Sequence, residues 1–358
     1  MKRNPFISLL IIIVSVFFFL PGIYGQEDIE PEKTSTGYCI KEVLVFKLSE
    51  ANVLNITNKH GNIIIDEASK DSIRISYDIN VGSFVEDAAT EVLEQISVND
   101  YVSEKTLYLK TMFEDEFQSA YDFSINYHIF VPSGTKLIIN NEFGNIHLSN
   151  PNSDITVDAG YGDLFIKDSD DTPAGKVELK LNFINGDIRN ITNASVYLSN
   201  CKLNFHGSDL LKGDTRFCII KTDSVKEVNI SSEIDRYEIN YSDKVNLKGE
   251  KTIATVSGLG KNGHFEIKSG KLDVGLSSSV SSLTVANEAA TTTVAVPAGL
   301  SYVLNGEVKD GKIIHYRQNA LKILKDMDTF SFSGEFGSEP FTNITIFNSS
   351  ADIIFKRK

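Results

Sequence analysis

Tryptophan is missing from the 358 residues, and the chain has only three cysteines, three methionines and eight prolines. So few cysteines exclude a disulfide-stapled scaffold, and so few prolines exclude a Pro-rich stalk. Without tryptophan the strongest sugar-stacking side chain is gone. Arginine is scarce as well: after Arg3 only Arg74, Arg189, Arg216, Arg236, Arg317 and Arg357 remain, and they do not cluster. Phosphate backbones are bound by clustered Lys and Arg that release counterions, so nucleic acid is excluded as a partner. The one basic run, Lys356-Arg357-Lys358, reads as a solvated tail. What is present is ordinary core material, 41% apolar and 23% charged residues with 22 Phe and 13 Tyr, which is the composition of a folded chain.

Lys2 and Arg3 precede an uncharged apolar run from Phe6 to Leu20, followed by Pro21, Gly22 and an acidic cluster from Glu27. That order describes an export leader over residues 1–25, with Gln26 the expected first residue of the mature chain. Fifteen apolar residues are short for a bilayer span of about 20, so no integral span is expected after cleavage. Removing Lys2 and Arg3 with the leader leaves 33 basic against 48 acidic residues, a formal charge of −15. The expected location is the periplasm or the cell surface, associated with the outer membrane. Among Cys39, Cys201 and Cys218 at most one bridge can form within a monomer; for Cys201 and Cys218 a disulfide and two buried thiols are both open.

From Cys39 to Val131 alternating β-branched and aromatic residues mark strands at Val43–Leu48, Ile63–Asp66, Ser72–Val81, Leu107–Thr111 and Ser124–Val131. One segment breaks the alternation: Val85, Ala88, Ala89, Val92, Leu93 and Ile96 share one face at helical spacing. With Glu86, Asp87 and Glu91 toward the positive end of the dipole, a helix near 85–97 is expected. Glu114-Asp115-Glu116 reads as a solvated loop.

Beyond Pro132 a short unit recurs as Phe143-Gly-Asn-Ile146, Tyr161-Gly-Asp-Leu164 and Asn185-Gly-Asp-Ile188, with an earlier outlier His60-Gly-Asn-Ile63 and a degenerate His206-Gly-Ser-Asp-Leu210. Gly61, Gly144, Gly162, Gly186 and Gly207 are therefore expected to form tight turns before strands. Strand starts at 155, 177, 196 and 217 give a loose period of about twenty with no helix between. One coil of short strands cannot bury its inward side chains alone, so coils of this length stack into a common core. The expectation is an all-β chain, a right-handed parallel β-solenoid with a short N-terminal α+β cap; a β-sandwich is the alternative. Residues 26–131 form the cap or a small α+β region, 132–299 the repeats, and 300–358 a C-terminal cap and closing repeat, with a short helix at Asn319–Met327 and a Gly-Glu-Phe-Gly loop.

The stretches Tyr127–Pro132, Leu137–Ile146 and Ala159–Leu164, and the ending Thr342–Ile346 with Ala351–Ile354, resemble the exported adhesin-like domain proteins, the autotransporter-adhesin-head-like β-solenoids of Gram-negative bacteria. The resemblance covers most of residues 39–358. It implies a right-handed parallel β-solenoid on a bacterial envelope protein, and it carries over no catalytic residues. The adhesin label rests on likeness of fold.

Chemistry is sparse. His60, His128, His147, His206, His264 and His315 never fall at metal-binding spacing. His60 and His206 precede a turn glycine where Phe143 and Tyr161 stand in other copies, so each is expected to pack its ring over the turn. No nucleophile elbow or phosphate loop is present, and no cofactor or metal is expected. Asn145, Asp163 and Asp187 could line one edge of successive coils as a carbohydrate site, since glycosidases use carboxyl pairs 5 to 9.5 Å apart; each also follows a glycine in a turn, where local backbone hydrogen bonds explain it. The leading expectation is a non-enzymatic adhesin-like protein that binds an envelope protein or a glycan. A polysaccharide lyase or hydrolase is the rival, and an envelope signalling accessory with a protein partner is a third reading.

Overall fold

Inward alternation builds the molecule. The computed structural model describes residues 30–68, 71–167, 174–338 and 342–358; the expected leader lies outside them. Among the described residues the chain is nearly all β, 22 strands joined in one sheet that is mostly parallel, in place of the antiparallel layers of a sandwich. Residues two apart point to the same side, so Ile146, Leu148, Leu164 and Ile166 are buried while Ser149 and Lys167 remain accessible. A single cluster of buried apolar side chains runs from Tyr38 to Phe355.

Register is regular. Ile155 lies beside Val177, a step of 22, and then Ile188, Phe205, Thr222 and Ile239 follow one another in steps of 17. The expected period of about twenty is therefore 17 through the centre. The unit His60-Gly61-Asn62-Ile63, expected to stand apart, is a neighbour of Phe143-Gly144-Asn145-Ile146, because Ile63 pairs with Ile146. Asn185-Gly186-Asp187 is displaced: Gly162 lies beside Ile184, and Gly186 lies beside Leu164. Gly186 is therefore no corner. It sits two residues further on, in an inward column where a Cβ would meet the Leu203 side chain and the Leu164 carbonyl, both at 2.8 Å.

The corners are made by the residue before the position that Gly144 and Gly162 occupy, which most later copies fill with other residues. Phe143, Tyr161, Phe183, Asn200, Phe217, Ile234, Lys251, Ser269 and Ala289 all have φ between 50° and 61°. Left-handed backbone is unfavourable for residues with a Cβ, and hydrogen bonds to the next parallel strand hold it, among them Phe217 N–H to the Glu233 carbonyl (3.0 Å) and Ile234 N–H to the Glu250 carbonyl (2.8 Å). Phe217-Cys218, read from sequence as strand, is one of these corners. Gly144 and Gly162 supply space rather than positive φ: a Cβ would lie 1.9 Å from the Gly61 carbonyl oxygen and 2.2 Å from that of Gly144. Gly207 alone of the five expected turn glycines is left-handed, at φ 92°.

Antiparallel pairs occur toward both ends of the described chain. At the N-terminal end Tyr38–Lys47, Ser72–Val81 and Phe123–Pro132 pair in that order, and Phe123–Pro132 lies parallel to Ile63–Ala68. The helix spans Glu86–Leu93 with Ala89, Val92 and Leu93 buried; Ile96 already begins the strand Ile96–Ser103, so the helix is shorter than its pattern. At the C-terminal end Thr342–Ser349 is interposed between Ser282–Val296 and Tyr302–Lys309, parallel to both. The helix expected at Asn319–Met327 is instead a 3-10 turn, Gln318–Ala320, and a strand, Lys322–Asp326. That strand pairs with Thr329–Phe336, which absorbs the expected Gly-Glu-Phe-Gly loop. Lys322–Asp326 and Thr329–Phe336 form a hairpin closed by Met327-Asp328, and that pairing prevails over the local helical pattern.

Candidate functional site

Outward side chains after each corner form columns across the sheet, because parallel register stacks equivalent positions. One column runs Val43, Ser76, His128, Ile64, His147, Phe165 and Asp187. The next runs Val45, Arg74, Phe130, Asp66 and Ser149. Together they make one face on which Val43, Val45, Ile64 and Phe130 stand among Ser76, Arg74, Asp66 and His128. Val43 is 51% exposed and Val45 63%, and the rings of His128 with Phe130 and of His147 with Phe165 lie 4.5 and 4.7 Å apart. Val43, Val45, Arg74 and Phe130 line a shallow cleft of about 600 Å³ together with Glu67, Ala68 and Ser72. Aliphatic side chains exposed side by side on a sheet mark an interaction surface, whereas scattered ones do not.

Two of the polar groups on this face pair with each other. His128 Nε2 meets Asp66 Oδ2 at 2.7 Å. Burial alone would raise the Asp66 carboxyl, but hydrogen bonds from His128 and Ser149 outweigh it and hold it below its ordinary range. Further along the face His206 is clamped between two carboxylates, Nε2 to Asp187 at 2.8 Å and Nδ1 to Asp223 at 2.5 Å, while Arg189 Nε reaches Asp187 at 2.8 Å. Burial pushes the His206 imidazole down, yet the two carboxylates prevail and raise it. His206 thus bridges neighbouring parallel strands and does not pack over its turn. His60 does stack, 5.1 Å from Phe143, and the ladder continues through Tyr161 and Phe183 at 5.0 Å each. Rings stacked in this way cover each other's faces and present edges to solvent, so the ladder is a cross-coil support and not a platform for a sugar ring.

Asn145, Asp163 and Asp187 all lie on the outward face but do not form one row. Asn145 and Asp163 share a column, and the Asn145 side-chain oxygen accepts the Asp163 backbone N–H at 2.9 Å. Asp163 in turn accepts from the Asn185 amide at 3.3 Å. Asp187 is one column over and one parallel strand on from Asp163, roughly 8 Å away at backbone level. A glycosidase requires one carboxyl kept protonated as the acid. Asp187 is the reverse case: burial raises it, but Arg189 and His206 hold it below its ordinary value. Sequence reasoning missed Val43, Val45, Ile64 and Phe130, whose strands are brought together only by long-range pairing.

Other features are self-contained. A groove of about 690 Å³ near the C-terminal end is lined by Lys248, Glu266, Lys268 and Glu288, which neutralise one another in pairs at 3.2 and 4.0 Å. Cys39, Cys201 and Cys218 are buried free thiols. His315 accepts or donates to the Tyr302 hydroxyl at 2.8 Å and is pushed down by burial to about 4. Among the described residues no group of three or more His, Cys, Asp or Glu could hold a metal ion, and no helix is long and apolar enough to cross a membrane.

No family model matches the chain, and no curated protein matches it. Solved structures resemble it at low identity. A candidate cell adhesion protein of Clostridium sporogenes is 11% identical, covering 89% of this chain and 100% of that one at a TM-score of 0.22. A candidate lipid binding protein of Parabacteroides distasonis is 11% identical, covering 88% and 96% at 0.34. A candidate adhesin of Parabacteroides merdae is 9% identical, covering 72% and 93% at 0.28. Scores this low carry no argument about function, which has to come from the residues themselves.

Proposed function

We propose that this chain is an exported, non-enzymatic, adhesin-like binding protein of the bacterial envelope, and that its apolar face is the binding surface. The observation that carries this reading is the pair of outward columns, one from Val43 through His147 to Phe165 and one from Val45 through Phe130 to Ser149. On this reading the parallel steps are coils of a right-handed β-solenoid, with residues 26–131 and 300–358 as its caps around the repeats of 132–299. The exposed aliphatic side chains favour a protein surface over a glycan as occupant, since sugars are held by flat aromatic faces and hydrogen-bonding groups. The expected leader supports export to the periplasm or the surface.

The test is a binding comparison. Immobilised chain and its V45D/F130S variant are probed with solubilised envelope proteins and with a glycan array. Retention of a defined envelope protein by the native chain, lost in the variant at unchanged melting temperature, supports the reading. Equal retention by both would refute it. Release of reducing ends or unsaturated products from polysaccharides would establish the enzyme instead.

A further inference from the structure

The strand Lys322–Asp326 pairs antiparallel with Thr329–Phe336 along one edge, and no other strand among the described residues pairs with its outer edge. All five of its residues are exposed; Leu324 is 75% exposed, and Met327 in the following turn 86%. An open edge with exposed apolar side chains is a template for another strand. Natural edges are commonly blunted by lysine, and Lys322 and Lys325 act so against most partners.

One arrangement removes that obstacle. We propose that Lys322–Asp326 pairs with the same strand of a second copy, antiparallel about a two-fold axis at Leu324. In that register Lys322 faces Asp326 of the second copy, twice by symmetry, and Leu324 faces its own counterpart. Lys322, Leu324 and Asp326 share one side of the strand, so the ion pairs flank the leucine contact. A shift of one residue places Lys322 opposite Lys325 and loses both ion pairs, so charge selects the register. The interface is isologous and closes on itself, giving a dimer and not a fibre. It joins the two end sheets into one, leaves the apolar face around Val43 free, and is weak because the strand is short.

Sedimentation across a concentration series tests this on the full mature chain. The native chain goes from monomer to dimer as concentration rises. Lys322→Glu alone and Asp326→Lys alone each place like charges opposite one another at two points and weaken dimerisation about tenfold or more. An equimolar mixture of the two variants restores opposite charges in both pairs, and a mixed dimer forms at close to native strength. Both substitutions are on exposed side chains, so the melting temperature of the monomer is unchanged. A native chain that stays monomeric at its highest soluble concentration overturns the proposal. So does a dimer indifferent to either charge reversal, which would have to use another face, and so does a mixture that dimerises no better than the separate variants.

Discussion

Asp235 is a buried carboxylate that accepts four hydrogen bonds: from the Cys218 backbone N–H and the Thr215 hydroxyl at 2.6 Å, the Ser232 hydroxyl at 2.8 Å and the Glu233 N–H at 3.1 Å. It occupies the place that Gly144 and Gly162 fill in earlier coils, directly after the left-handed corner. Asp235→Ala leaves those donors buried without an acceptor and costs about 3 kcal/mol, read from the denaturant midpoint. Ile234, beside it, is a β-branched residue at φ 59°. Ile234→Asn relieves the strain and stabilises by about 0.5–1 kcal/mol, asparagine being the residue type that Asn200 already supplies two steps away in the same column. Gly162→Val drives a side chain into the Gly144 carbonyl and destabilises by about 1–3 kcal/mol, while Lys167→Val, exposed on the outer face, is nearly silent in the same melting experiment.

The His206 clamp has a pH signature whose sign follows from its partners. Its imidazole is raised above the ordinary value of about 6.5, so its contribution is complete below that value and fades as pH rises through the folded value. Asp187 is depressed, so its contribution holds above the unfolded carboxylate value of about 3.9 and is lost as pH falls through its lower folded value. The clamp is therefore strongest in mildly acidic solution. Thermal melts should show His206→Gln costing more stability at pH 5.5 than at pH 8.5; an equal cost at both would show that the pairing does not depend on the imidazolium.

At the scale of elements, the interposed strand Thr342–Ser349 has both its edges paired. Its amides should exchange with deuterium as slowly as those of Ser282–Val296, and faster exchange throughout would contradict the pairing. Here the sequence was a partial guide. Strands such as Ile63–Ala68, Ser72–Val81 and Phe123–Pro132 were legible because alternation is local. The insertion of the last coil beneath Tyr302–Lys309 was not, since nothing in a strand's own pattern says which neighbour it will meet. Gly186 misled for a related reason. An Asn-Gly-Asp signal looks the same at a corner as in an inward column that must make room for Leu203, and only register tells them apart.

For the whole molecule, the outward face is assembled from residues 43 to 187, and this explains why its site was illegible beforehand. Val43 and Phe165 are brought to one column by five successive pairings, each reasonable alone and none implied by the others. Everything proposed about function depends on that stacking being in register. Spin labels placed at Ser199 and, in separate samples, at Glu250, Lys268 or Glu288 measure it directly. Ser199, Arg216, Glu233 and Glu250 pair in succession, Gly270 abuts the Thr252 carbonyl and so sets Lys268 beside Glu250, and Lys268 pairs with Glu288, which puts the labels three, four and five parallel strands apart. Coils stacked in register give label separations that rise evenly, about 14, 19 and 24 Å between backbones, with each further coil adding about 4.8 Å. Separations that do not rise in equal steps, or that fall between Glu250 and Glu288 as strands turned back on themselves, would contradict the stacked parallel fold and the binding face built on it.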